Sequence, residues 1–427
     1  METEENSYDI AIVGGGLAGA LVANRLHSSF KGSVILLDNH PTLGGKARSS
    51  SWETKQWAPN ASFVSEKLYN FIANLLQSDP SLRQEETFSF KPANLSFFIQ
   101  NKIIPIKSLS QKESKVPKIL GGLAAQKQWL NLWDKMFGSL QDKEQPLSKS
   151  LNISHKDALA STLKLISYTC GLSSWLSLNP KAMEERCEYL ENLGTSDILK
   201  NLAALFSRES SDCSLTLAFE EQVLTAQKKD SYWQIKTNKK QLKAKRLIVA
   251  HSPWEALIWL DRKELPQKIL QMALRSKPTS IVSLTKRIKK EFEGLSDQMI
   301  IASESVIMIH SCGNLCFTYS LDYESSINTT EVTKAIKALR RSALKLVSAF
   351  PDLELEEESI ALHPIAWGQS AQTKEASYVE KLSDYDFFKE DILFCGESYG
   401  TSYRPDENII KSVLACASYC VENKLGE

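Results

Sequence analysis

Tyr8-Asp9-Ile10-Ala11-Ile12-Val13-Gly14-Gly15-Gly16-Leu17-Ala18-Gly19, continued by Val34-Ile35-Leu36-Leu37-Asp38, is the stretch that decides the fold. Ile10 to Val13 form a short apolar run suited to a strand buried on both faces. Gly14 to Gly19 then spell G-x-G-x-x-G, and Leu17, Leu21, Val22 and Leu26 recur at helical spacing. Val34 to Leu37 make a second buried strand that ends in Asp38. The order strand, glycines, helix, strand, acid predicts a βαβ unit that binds a dinucleotide. Gly14 allows the turn, Gly16 lets backbone approach a pyrophosphate, and Gly19 lets helix and sheet pack closely. Gly15, Leu17 and Ala18 complete the loop, whose helix-head N–H groups attract phosphate. Asp38, with Asn39 beside it, lies where a carboxylate accepts hydrogen bonds from ribose hydroxyls.

The rest of the composition narrows the class. The chain has 427 residues, 42% of them hydrophobic and 24% charged, as in ordinary globular proteins. At roughly 150 residues per domain, two or three domains are expected. Lys plus Arg and Asp plus Glu both number 51, so no net field draws the chain to nucleic acid. The polar, acidic start carries no secretory signal, and no apolar run is long enough to span a bilayer. Eight scattered cysteines fit neither a redox pair nor a zinc knuckle. A cytoplasmic, disulfide-free protein without a metal site is the expectation.

Beyond Asp38 comes Leu43-Gly44-Gly45-Lys46-Ala47-Arg48-Ser49. This resembles the Gly-Gly-Arg segment after the second strand in the amine oxidase, protoporphyrinogen oxidase and phytoene desaturase superfamily of flavoproteins. The resemblance implies FAD as cofactor, with the paired glycines close to it and the basic residue at its phosphates. Lys46 takes the usual arginine position, keeping the charge without the bidentate fork. The superfamily also returns its C-terminus to the cofactor. Ile392-Leu393-Phe394-Cys395-Gly396-Glu397 matches that segment, so Gly396 and Glu397 are implied contacts, Glu397 to the ribityl chain. The helix that follows usually opens Glu-Gly-Ala-x-x-Ser-Gly; here Glu407-Asn408-Ile409-Ile410-Lys411-Ser412-Val413 keeps only Glu407 and Ser412. Asn408 and Ile409 then stand where small residues normally approach the flavin. Val223, opening a strand before Tyr232 to Lys236 and Leu247 to Ala250, matches a backbone contact on the adenine side.

The implied fold class is α/β: a Rossmann-type FAD-binding domain with a parallel sheet, interleaved with a mixed α+β substrate domain. The expected pieces are 1–85, 208–275 and 385–427 for FAD, and 86–207 and 276–384 for substrate. No second G-x-G-x-x-G follows a strand, which argues against a built-in nicotinamide domain. No strong catalytic signature is present, since a flavin itself carries the hard chemistry. Ser283 falls where many amine oxidases keep a lysine, with Lys286 on the opposite face of the strand. His251, at a strand end, is a candidate proton donor, and Trp367 a candidate wall of the flavin pocket. In the segment Ile119 to Leu140, Trp129, Leu130, Trp133, Met136 and Phe137 share one side; a buried amphipathic helix is preferred there over peripheral membrane contact.

The leading expectation is an FAD-dependent oxidase, dehydrogenase or desaturase that moves hydride from a small or lipid-like substrate to the flavin. A non-redox flavoenzyme and a non-catalytic FAD protein acting through a partner stay open beside it. Oligomeric state is not legible.

Overall fold

The computed structural model describes residues 6–45, 50–52, 55–57, 63–77, 89–99, 101–106, 109, 111–138, 157–160, 162–163, 166, 179–196, 198–206, 213–275, 279–289, 298–302, 305–309, 314–363, 388–389, 391–400, 402 and 404–423. Strand Asn6–Val13, helix Leu17–Ser29 and strand Gly32–Leu37 form the expected βαβ unit. Around them the parallel strands run in the order Cys213–Ala218, Gly32–Leu37, Asn6–Val13, Gln241–Val249. The first half of Gln241–Val249 pairs antiparallel with Tyr232–Thr237, which pairs in turn with Val223–Lys229. Its second half pairs parallel with Ile392–Phe394, from far along the chain. This is a Rossmann-type sheet with a three-stranded meander on one edge.

Burial follows from the sequence pattern. Ile10, Ile12, Val34 and Leu36 face one layer, while Ala11, Val13, Ile35 and Leu37 face the other. Each buried valine, leucine or isoleucine among them contributes about 1.5–3 kcal/mol of transfer free energy. The helix Leu17–Ser29 buries Ala18, Gly19, Ala20, Leu21, Val22, Ala23 and Leu26. Its apolar surface runs nearly all round because it lies between the sheet and the C-terminal helix, Pro405–Glu422. That last helix is held at its tail by Arg246, whose guanidinium donates to the carbonyls of Cys420 and Asn423 and lies over the Tyr419 ring. A cation there also complements the negative end of the helix dipole.

A second, seven-stranded sheet draws on two separate stretches of chain. Its order is Leu355–His363, Thr279–Ile288, Asn314–Asp322, Ser305–Ile309, Gln298–Ala302, Asn94–Ile99, Lys102–Pro105. The long helix Thr329–Ala349 lays Ala335, Leu339, Ala343 and Leu346 on it. Ser283 is buried and Lys286 half-buried; three residues apart on one strand, they lie on opposite faces of the sheet. A three-stranded sheet joins Phe63–Ser65, Leu193–Thr195 and Lys91–Pro92.

The segment expected as one helix from 119 to 139 is Val116–Gly138, kinked at Gly122. Trp129, Leu132 and Trp133 are buried in the helical core, but Leu130 is exposed, so the buried stripe is narrower than expected. The side chains of Met136 and Phe137 lie outside the described residues. Ile198–Phe206 forms a 3-10 helix. No helix among the described residues is long and apolar enough to cross a membrane.

Cys395, Cys416 and Cys420 meet in the core between strand Ile392–Phe394 and the last helix. Burial pushes the Cys420 thiol to about 11 and Cys316, in the other sheet, to about 12. Thiolate is the reactive form. Peptide mapping after iodoacetamide treatment of the native protein at neutral pH is therefore expected to find Cys316, Cys416 and Cys420 unmodified. Alkali acts the other way: from about pH 9 the unfolded chain releases protons that the folded thiols retain, so stability falls towards pH 12.

Candidate dinucleotide site

At Gly14, Gly15 and Gly19 a Cβ would come within 3.0, 2.9 and 1.8 Å of a neighbouring atom, whereas at Gly16 the nearest atom is 3.9 Å away. The Gly14 amide donates to the Leu37 carbonyl at 2.9 Å, bending the chain over the end of the second strand. A Cβ on Gly19 would sit 1.8 Å from the Gly14 carbonyl oxygen, so only glycine lets the helix lie this close to the strand it follows. The helix begins after Gly16 with no side-chain cap and no acid in its first turn. The first intrahelical bond is Ala20 N–H to Gly16 O. The Leu17, Ala18 and Gly19 amides ahead of it are uncapped, at the positive end of the dipole.

Gly44 and Gly45 close this loop from outside. The Gly44 amide donates to Gly15 O at 2.9 Å, and Gly16 and Gly44 form a parallel bridge. Gly45 has φ +52°, and a Cβ there would lie 2.9 Å from the Gly16 Cα. The pair is thus demanded by packing of one glycine loop on the other. Lys46, Ala47 and Arg48 lie outside the described residues, as does Trp367.

Asp38 is 7% exposed and braces the loop. Its Oδ2 accepts the Gly15 amide at 2.6 Å and its Oδ1 the His40 amide at 2.8 Å. Each carboxylate oxygen keeps a lone pair for a further donor. Asn39 beside it is exposed. As the chain leaves strand Cys213–Ala218, the amides of Glu220 and Glu221 donate back to the His40 and Asp38 carbonyls. This brings Val223, two residues on and buried, to the Asp38 end of the sheet.

The C-terminal segment comes to the same place. Cys395 N–H donates to Val249 O, extending the parallel pairing, and a Cβ on Gly396 would lie 3.8 Å from the Ala18 Cβ. Gly396 N–H donates to Ser412 Oγ at 2.9 Å. The half-buried Glu397 follows at the head of a short loop. Asn408, fully buried, ties that loop together. Its Nδ2 donates to the Glu397 and Ser402 carbonyls at 2.9 and 2.7 Å, and its Oδ1 accepts the Ser402 amide. Ile409 packs into the core around the first helix. Glu407 pairs with Lys67 and Arg404; burial opposes its ionisation, but the two cations outweigh it and hold the carboxyl below its ordinary range.

His251 stands under the loop, where a Cβ on Gly14 would touch its ring at 3.0 Å. Trp259 Nε1–H donates to His251 Nδ1 at 3.2 Å, so in the neutral ring the proton is on Nε2. Its backbone carbonyl accepts the Tyr399 hydroxyl. The structure therefore brings together Gly14, Gly15, Gly16, Leu17, Ala18, Gly19, Asp38, Gly44, Gly45, Gly396 and Glu397. Sequence reasoning missed the fastening role of Asn408 and the bracing role of Asp38. The nearest signal was the polar Asn408 in an apolar helix face.

A family profile described as an NAD(P)-binding Rossmann-like domain matches residues 12–65. No curated protein matches the chain by sequence. Solved structures match it over nearly full length. A redesigned putrescine oxidase has a TM-score of 0.64 at 13% identity, covering 98% of this chain and 100% of its own. A structure described as a protoporphyrinogen oxidase, from Exiguobacterium sp. 255-15, has a TM-score of 0.64 at 14% identity, covering 98% and 99%. A conjugated-linoleic-acid-producing fatty acid isomerase from P. acnes has a TM-score of 0.59 at 13% identity, covering 97% and 99%. The expected α/β fold, a Rossmann-type unit interleaved with a second sheet domain, is therefore the fold this chain shares with these proteins.

Proposed function

From that shared fold we propose that the chain is an FAD-dependent oxidoreductase acting on a small or lipid-like substrate. The observation that carries this reading is the uncapped helix head at Leu17–Gly19, faced by Gly396–Glu397 from the other end of the chain. The donor set fits a dinucleotide. The loop amides would hold the diphosphate. Asp38, Asn39 and Val223 would hold the adenosine end, and Glu397 would accept hydrogen bonds from a polyol chain. Lys46, Ala47 and Arg48 would stand at the phosphates, and Asn408 and Ile409 near the ring system. The bound flavin would supply two-electron chemistry with the substrate, and the protein would position that substrate and exclude water. His251, held by Trp259 beneath the glycine loop, would serve as a positioning residue.

The purified protein is expected to be yellow, with absorption bands at about 375 and 450 nm. Anaerobic bleaching by candidate amines, acyl chains or polyenes would then identify the reductive substrate. A colourless protein that takes up no added FAD would overturn the reading. A yellow protein that converts a substrate with no net bleaching would instead favour the non-redox reading. That reading draws support from the fold shared with an isomerase.

A further inference from the structure

Beyond Glu397 the chain packs on helix Pro180–Glu191, which belongs to neither part of the Rossmann-type sheet. Ser402 Oγ donates to Glu185 Oε2 at 2.8 Å, and Arg404 pairs with Glu188. Asp406 Oδ2 accepts the Ser65 hydroxyl at 2.6 Å, and Ser65 pairs with Leu193, just past the same helix. Arg186 is on the same helix, one position from Glu185 and two from Glu188. It is 2% exposed, yet its Nε and Nη2 have no hydrogen-bond partner. Asp406 is 4% exposed, and its Oδ1 has none either. The buried Tyr189 hydroxyl senses the group: burial and then Asp406 push it well above its ordinary value, Arg186 pulls it down, and Glu397 adds to the rise.

A buried guanidinium with idle donors is costly, and so is a buried carboxylate oxygen with no donor. Here both occur at one seam, next to the residue that follows Gly396 away from the helix head. The seam sets the four carboxyl groups of Glu185, Glu188, Glu397 and Asp406 against the two guanidinium groups of Arg186 and Arg404. A further anion would worsen that balance. What satisfies both idle groups is a neutral edge carrying an acceptor beside an N–H donor.

We infer that Arg186 and Asp406 form a side-chain pair that reads such an edge, the C=O and N3–H of a flavin's pyrimidine ring, with Arg186 donating to the carbonyl and Asp406 accepting from N3–H. This rests on the FAD reading above. It gives the chain side-chain recognition of the ring where Asn408 and Val413 replace the glycines of the resembled motif.

Binding of FAD, ADP and 3-methyl-FAD to the full-length apoprotein tests it, by fluorescence titration or competition. Arg186→Met is expected to weaken FAD by about tenfold or more while leaving ADP, which lacks the ring, within about twofold. Wild type is expected to bind 3-methyl-FAD more weakly than FAD. Asp406→Asn, which keeps an oxygen for Ser65, is expected to lose that discrimination, and it stands in should Arg186→Met not fold. Unchanged FAD affinity in both variants overturns the inference, as does an equal loss of FAD and ADP, which marks a structural role only. Failure of wild type to bind either FAD or ADP overturns the flavin reading itself, and is distinguished by that wild-type result.

Discussion

Gly19→Ala is expected to abolish FAD uptake and to lower stability by about 3 kcal/mol or more. A methyl group at this position would be placed 1.8 Å from the Gly14 carbonyl oxygen, 3.0 Å from its carbon and 3.2 Å from the Ala250 Cβ. Two of those three neighbours are backbone, so no rotamer change relieves the contact. The first helix would have to move off its strand by more than an ångström. That motion would carry with it the uncapped Leu17 and Ala18 amides and open the packing of Leu21 and Leu26 against the sheet. Urea unfolding reports the stability loss, and equilibrium dialysis with FAD reports the binding loss. A Gly19→Ala protein with wild-type affinity would show that the loop holds no diphosphate.

Asn408→Ala should come second in size. Its fully buried amide makes three hydrogen bonds, two as donor to the Glu397 and Ser402 carbonyls and one as acceptor from Ser402. Removing it strands two carbonyls and one amide, a cost of about 2–4 kcal/mol. The space beside it is filled, since a Cβ on Gly400 would meet Asn408 Oδ1 at 2.1 Å, so the loop cannot simply collapse inwards. Residues 396–404 are expected to lose hydrogen-exchange protection first, while the strands at Asn6–Val13 and Gln241–Val249 keep theirs. Uniform loss of protection across the sheet would contradict this.

The βαβ start was legible because its signals are local. Glycine spacing, helical periodicity and a terminal acid all fall within 31 residues, from Tyr8 to Asp38. The strand Cys213–Ala218 was not, although it completes the parallel sheet. Ser214 and Thr216 interrupt its apolar run, and as an edge strand it needs burial on fewer sides. Gly44 and Gly45 were read through the resemblance as cofactor neighbours, whereas their packing on Gly16 depends on a contact between two loops that spacing cannot show. Arg186 was invisible for a similar reason. In Pro180–Glu191, rich in charged residues, one arginine reads as solvated, and its burial shows only in the folded chain.

The strand Ile392–Phe394 and the helix Pro405–Glu422 complete a nucleus begun at Asn6. During synthesis the ribosome releases the first helix some 380 residues before the side that faces Pro405–Glu422 can be covered. The side of that helix which packs on Pro405–Glu422 waits exposed, or under a chaperone, until Val413, Cys416 and Cys420 emerge. Dinucleotide affinity should therefore arise only once residues 392–422 have emerged from the ribosome, and nascent chains stalled before residue 405 should aggregate rather than bind.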